Sequence, residues 1–118
     1  MKYLANRKKS FGYAFKGLAT VVRTQPHARI HIVAALVVIL AGWWFHISQA
    51  EWFYISTAIA LVWILEALNT AIEFLVDLVS PEYHELAGKA KDCAAAAVLI
   101  AAFFAVVVAG LVFIPKVV

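Results

Sequence analysis

A single cysteine, Cys93, stands in the 118 residues, which excludes an internal disulfide and a cysteine-built metal cluster. It opens an apolar run, where a small packing residue is expected. The phosphate-binding and catalytic signatures of soluble enzymes are missing as well. There is no G-x-x-x-x-G-K-[ST] loop, and Gly12 and Gly88 stand singly rather than in a glycine-rich loop. H-E-x-x-H and G-x-S-x-G are also absent. No internal repeat, low-complexity tract or linker divides the chain, so one domain over residues 1–118 is expected. The first apolar run begins about 30 residues in and ends in no A-x-A-like site, so no cleavable signal peptide is expected.

What the chain does have is apolar surface. Hydrophobic residues make up 65% of it and the mean hydropathy is +0.90, far above the soluble average. Apolar runs of spanning length predict an all-α integral membrane protein. Three transmembrane helices are predicted over about 30–47, 52–79 and 93–113. Trp43, Trp44, Phe45 and His46 form an aromatic belt at the end of the first span, and Trp52 anchors the start of the second. Ser48–Glu51 is read as a tight turn. Ser80-Pro81-Glu82 is read as a helix start, with serine as N-cap and proline at the first helical position. Pro115-Lys116 is read as the end of the third span.

Ahead of the spans, residues 10–25 read as an amphipathic surface helix. Phe11, Phe15, Leu18 and Val22 share one side, while Lys9, Lys16 and Arg23 recur on the other. The net charge is +3 and its excess is uneven. Lys2, Arg7, Lys8, Lys9, Lys16, Arg23 and Arg29 precede the first span, Lys89 and Lys91 precede the third, and only Lys116 lies opposite. The positive-inside rule then gives the inner cell membrane, N-terminus in the cytoplasm and C-terminus outside. Because the basic residues abut a span, nucleic acid is not the expected partner. His27 and His31, flanking Arg29, read as headgroup or loop contacts.

The most informative residues interrupt the second span. Glu66, Asn69, Glu73 and Asp77 fall within an arc of roughly 80° on one helix face. Ionisable groups in hydrocarbon are costly, so such a stripe predicts a functional site with partners, a metal or a water-filled cleft. Three helices enclose little interior, so a homo-oligomer with the acids near its interfaces is expected. Counting from Trp52, Glu66 lies about 21 Å along the helix and Glu73 about 10 Å further. In a core about 30 Å thick, the stripe becomes a ramp from the cytosol into the inner leaflet. The outer carboxylate suits a hard cation such as Mg²⁺, with phosphate oxygens completing its shell. The deeper one is suited to accept a proton from a hydroxyl. Asn69 can orient either, Lys91-Asp92 adds a cation suited to phosphate, and Glu82-Tyr83-His84-Glu85 lies at the same level. A non-enzymatic proton or ion pathway would also use Glu66 and Glu73, but it leaves Lys91-Asp92 without a role.

The run Glu66-Ala67-Leu68-Asn69-Thr70-Ala71-Ile72-Glu73, then Asp77, then Glu82 through Asp92, closely resembles the prokaryotic diacylglycerol kinase family, which includes the undecaprenol kinases. Phe11-Gly12-Tyr13-Ala14-Phe15-Lys16-Gly17-Leu18 is similar to the family's surface helix. The resemblance implies a homotrimeric membrane enzyme transferring the γ-phosphoryl of Mg-ATP to a lipid hydroxyl, either diacylglycerol or undecaprenol. It implies Glu66 as general base, Glu73 as metal ligand and Asn69 as a supporting catalytic residue. It implies nucleotide and phosphate contacts at Tyr13, Glu82, Tyr83, His84, Lys91 and Asp92, and a lipid contact at Ala95. One departure stands out. Where the family commonly has a second metal-ligating glutamate, this chain has Gln25, in Thr24-Gln25-Pro26-His27. An amide oxygen can bind Mg²⁺ but brings no charge, so either the metal is held more weakly or the ligand set differs.

Overall fold

A computed structural model describes all residues, 1–118. The chain is entirely helical, with α1 (Lys2–Thr24), α2 (Pro26–Trp44), α3 (Gln49–Val79) and α4 (Glu85–Val117). The last three are long and apolar enough to cross a membrane. With every backbone donor and acceptor paired inside its own segment, such helices are the form a chain takes in hydrocarbon. This is a multi-pass membrane protein.

Proline chemistry separates α1 from α2. Pro26 occupies the first turn of α2, where its missing N–H costs nothing, and it forces Gln25 into extended backbone (φ −109°, ψ 109°). The α2–α3 turn lies at Phe45–Ile47, earlier than the expected Ser48–Glu51. His46 takes a left-handed conformation (φ 51°), which lets His46 N–H donate to the Trp43 carbonyl and Ile47 N–H to the Gly42 carbonyl. Ser48 then starts a helix. Its hydroxyl accepts from Glu51 N–H at 3.1 Å, and the Glu51 carboxylate accepts from Ser48 N–H at 2.9 Å. This reciprocal cap explains why Glu51 belongs to α3 and not to a turn.

Two other helix ends differ from expectation. Ser80 does not start α4; it closes α3, its N–H donating to the Val76 carbonyl. The cap of α4 is His84, whose Nδ1 accepts from Leu86 N–H at 3.0 Å, leaving Pro81 in the bend between helices. At the other end α4 continues through Pro115 to Val117. A proline in the last turn removes a single hydrogen bond, and Val118 N–H closes the turn on the Ile114 carbonyl.

The main packed unit is the antiparallel hairpin of α3 and α4. Ion pairs clasp both its ends. Lys116 Nζ lies 3.0 Å from Glu51 at one end, and Lys91 Nζ lies 2.6 Å from Asp77 at the other. Both pairs fit one uninterrupted register. Between them Ile55 and Ala58 pack with Val108 and Val112, joined by Ile47 from the turn. The buried positions of α4 recur as Ala94, Ala101 and Val108. Cys93 therefore falls beside the packed face and is exposed, contrary to its expected packing role.

The molecule is a slab of 52 × 48 × 20 Å with only 14 of 118 residues buried. So small an interior cannot by itself shield the remaining apolar surface from water. Phe11 and Phe15 of α1, and Leu99, Ile100 and Phe103 of α4, are all about two-thirds exposed or more. Lipid or further subunits must cover them.

Candidate functional site

The inward face of α3 changes character along its length. Its first buried residues are apolar: Ile55, Ala58 and Val62. The next three on the same face are Glu66, Asn69 and Thr70, buried to 2%, 8% and 3% exposure. Glu73 follows, half-buried, and Asp77 is exposed. The stripe read from the sequence thus becomes a graded series, from a carboxylate cut off from solvent to one that solvent reaches.

Each member has distinct partners. Thr70 donates its hydroxyl back to the Glu66 carbonyl at 2.8 Å, which leaves the Glu66 side chain free of its own helix. His31 of α2 brings Nε2 to 3.2 Å from Glu66 Oε1. The pair is close but not aligned as a hydrogen bond, so Oε1 is left without a donor. No other basic side chain pairs with Glu66. Two turns further on, Gln25 Nε2 donates to Glu73 Oε2 at 3.0 Å. Asn69 Nδ2 reaches Glu73 Oε1 at 3.5 Å, the outer limit of a hydrogen bond, and Asn69 Oδ1 is buried with no partner. Beyond Glu73, Asp77 accepts from Lys91.

Gln25 and Glu73, 48 residues apart, are therefore neighbours. The Lys91 charge is directed at Asp77, not left free beside Asp92. Tyr13 on α1, Glu82 and Tyr83 in the α3–α4 connection, and Asp92 and Ala95 on α4 are all exposed, and none bonds to Glu66, Asn69 or Glu73. His84 is engaged through Nδ1 in capping α4.

The sequence predicts a headgroup or loop contact for His31; its place against Glu66 corrects that. Helix register is the reason. Once Gln25 meets Glu73 across antiparallel α2 and α3, two turns up one helix and two turns back along the other bring His31 to Glu66. His31 also borders an apolar cleft of about 80 Å³, lined by Ala34, Ala35, Ala58, Val62 and Ala105 among others. A buried carboxylate, a half-buried carboxylate with two amides, and an apolar cleft are thereby joined along one seam.

The fold and this seam define a multi-pass membrane protein with an acidic site sunk between its helices. Residues 12–113 match the prokaryotic diacylglycerol kinase family. The chain is 46% identical over 107 residues to a diacylglycerol kinase of Synechocystis, covering 90% of this chain and 61% of that protein. It is 40% identical over 108 residues to an undecaprenol kinase of Bacillus subtilis, covering 92% and 88%. It is 39% identical over 99 residues to a diacylglycerol kinase of Escherichia coli, covering 84% and 81%. The chain belongs to the prokaryotic diacylglycerol kinase family. With that it is a lipid kinase, a phosphotransferase with an alcohol as acceptor.

Proposed function

We propose that the chain transfers the γ-phosphoryl of Mg-ATP to the hydroxyl of diacylglycerol, giving phosphatidic acid, at the inner face of the cell membrane. The observation that carries the reading is the graded face of α3, with Glu66 buried beside an apolar cleft and Glu73 half-buried toward the polar end. A membrane alcohol has its hydroxyl at the boundary between apolar and polar matter. A nucleotide arrives from water. A seam running from one environment to the other suits both.

In this reading Glu66 is the general base. As the lipid oxygen bonds to the γ-phosphorus, the bond from that phosphorus to the β,γ-bridging oxygen breaks, ADP leaves, and Glu66 takes the hydroxyl proton. Asn69 orients Glu73. The donor set around Glu73 fits Mg²⁺ brought in with the nucleotide: the Glu73 carboxylate and the unpartnered Asn69 Oδ1 are oxygen donors, and the Gln25 amide, which turns Nε2 toward Glu73, would add its oxygen on rotating, with few protein ligands and room for phosphates. When bound, the ion neutralises phosphate charge. Lys91 is a phosphate contact that exchanges Asp77 for nucleotide. Tyr13, Glu82, Tyr83, His84 and Asp92 are nucleotide contacts and Ala95 a lipid contact, supplied in a homotrimer where neighbouring subunits cover the exposed apolar faces. The helix α1 lies on the cytoplasmic surface, N-terminus inside and C-terminus outside.

Undecaprenol is the second reading of the acceptor, favoured by the 88% coverage of the Bacillus subtilis undecaprenol kinase. A proton or ion pathway is not favoured, because family and relatives are kinases. The deciding experiment supplies purified protein in vesicles with [γ-³²P]ATP and one lipid at a time. Label in extracted phosphatidic acid supports the first reading. Label only in undecaprenyl phosphate transfers the assignment to the second, and label in neither lipid refutes both.

A further inference from the structure

We propose that His31 is the positioning residue for Glu66, its imidazole holding the buried carboxylate in the orientation that receives the acceptor hydroxyl's proton. The inference deepens the lipid-kinase reading and rests on Glu66 as the base. Its first support is burial. At 2% exposure the Glu66 carboxylate has lost its water, and such a group needs a partner to hold it. The second is exclusivity. His31, at 3.2 Å, is the only basic side chain paired with it, and Glu66 Oε1 has no other donor. The third is backbone placement. Gln25 and His31 meet Glu73 and Glu66 in one antiparallel register, so the contact follows from how α2 lies on α3 and not from one freely chosen rotamer. The fourth is location. His31 touches the carboxylate and also lines the apolar cleft, so it stands where an alcohol's hydroxyl would approach.

At 3.2 Å, Nε2 is within hydrogen-bonding reach of Oε1, and alignment of its N–H is what the bond requires. That one bond fixes a side chain which its own helix leaves unrestrained, since Thr70 spends its hydroxyl on the Glu66 backbone carbonyl. A base misplaced by about 1 Å loses on the order of a hundredfold in rate while leaving nucleotide binding alone. A merely space-filling His31 would show no such separation.

The test uses the purified full chain in lipid vesicles with Mg-ATP and whichever lipid alcohol it phosphorylates. His31→Ala is expected to lower kcat by about 10- to 100-fold, with the KM for Mg-ATP unchanged within about twofold. His31→Gln, whose amide can donate to the same oxygen, is expected to restore kcat to within about fivefold of the wild type. A His31→Ala enzyme with normal kcat overturns the proposal. So does a His31→Gln enzyme as slow as His31→Ala, or a loss confined to KM. Glu66→Gln serves as the control. If it turns over normally, the base assignment itself is wrong; if it is inactive beside a normal His31→Ala, only the role of His31 fails.

Discussion

Glu66 and Glu73 are the same side chain two turns apart on one helix, and their surroundings differ. Glu66 is closed off from solvent beside an imidazole; Glu73 is half-open and faced by two amides. Replacing Glu66 by Gln keeps the volume and removes the proposed proton acceptor. Turnover is expected to fall by about 10²- to 10⁴-fold while ATP affinity changes little, measured by initial rates and nucleotide binding on the same preparation. Glu73→Gln removes the only charge among the proposed metal donors. The KM for Mg-ATP is expected to rise about tenfold, equivalent to ~1.4 kcal/mol, with a steeper dependence on Mg²⁺ concentration. Unchanged Mg²⁺ dependence would remove Glu73 from the ligand set. Of these residues, spacing alone gave Glu66, Asn69, Glu73 and Asp77, because helical periodicity is a local property that sequence displays directly. His31 was not legible, since its contact depends on how one helix lies on another. The Gln25–Glu73 contact came within reach only through resemblance.

At the scale of elements, the helices were readable and their ends were not. Apolar length marks a span without ambiguity, whereas caps compete. Ser80 and His84 are both chemically able to start α4, and the winner is the one whose ring reaches the Leu86 N–H. Ser48–Glu51 reads from sequence as a turn, but the reciprocal hydrogen bonds of Ser48 and Glu51 make them a helix start. Ser48→Ala is expected to cost about 1 kcal/mol, read as a lower unfolding midpoint of the purified protein. Glu51 additionally holds Lys116, so the cap also anchors the far end of α4. The same corner contains Gly42, where a Cβ would stand 2.6 and 2.9 Å from the Trp52 ring and 3.1 Å from Ile47. Gly42→Ala is therefore expected to destabilise by about 1–3 kcal/mol in the same assay. A midpoint equal to the wild type would mean that α2 approaches α3 less closely than described.

Across the whole molecule the governing fact is how little the chain buries of itself. A slab 20 Å thick with 14 buried residues leaves Glu73 and Asp77 at the edge of the packed interior and, of these three acids, encloses only Glu66. That explains why Tyr13, Glu82, Tyr83 and Asp92 stay apart from Glu66 and Glu73 within one chain, and why a homotrimer is the proposed working unit. Sequence composition predicted the membrane and the need for more cover, but subunit number lies in surfaces that a single chain leaves unpaired. The proposed mechanism requires a polar groove on α3 that opens to the cytosol and closes toward the bilayer interior. It is tested most directly in a Cys93→Ala background by placing single cysteines at positions 66, 73 and 77 and treating sealed vesicles of each orientation with a membrane-impermeant maleimide. Rapid reaction is expected at 77, slower reaction at 73 and almost none at 66, all from the cytoplasmic side. Reaction of position 73 from the opposite side, or of position 66 as fast as 77, would contradict it.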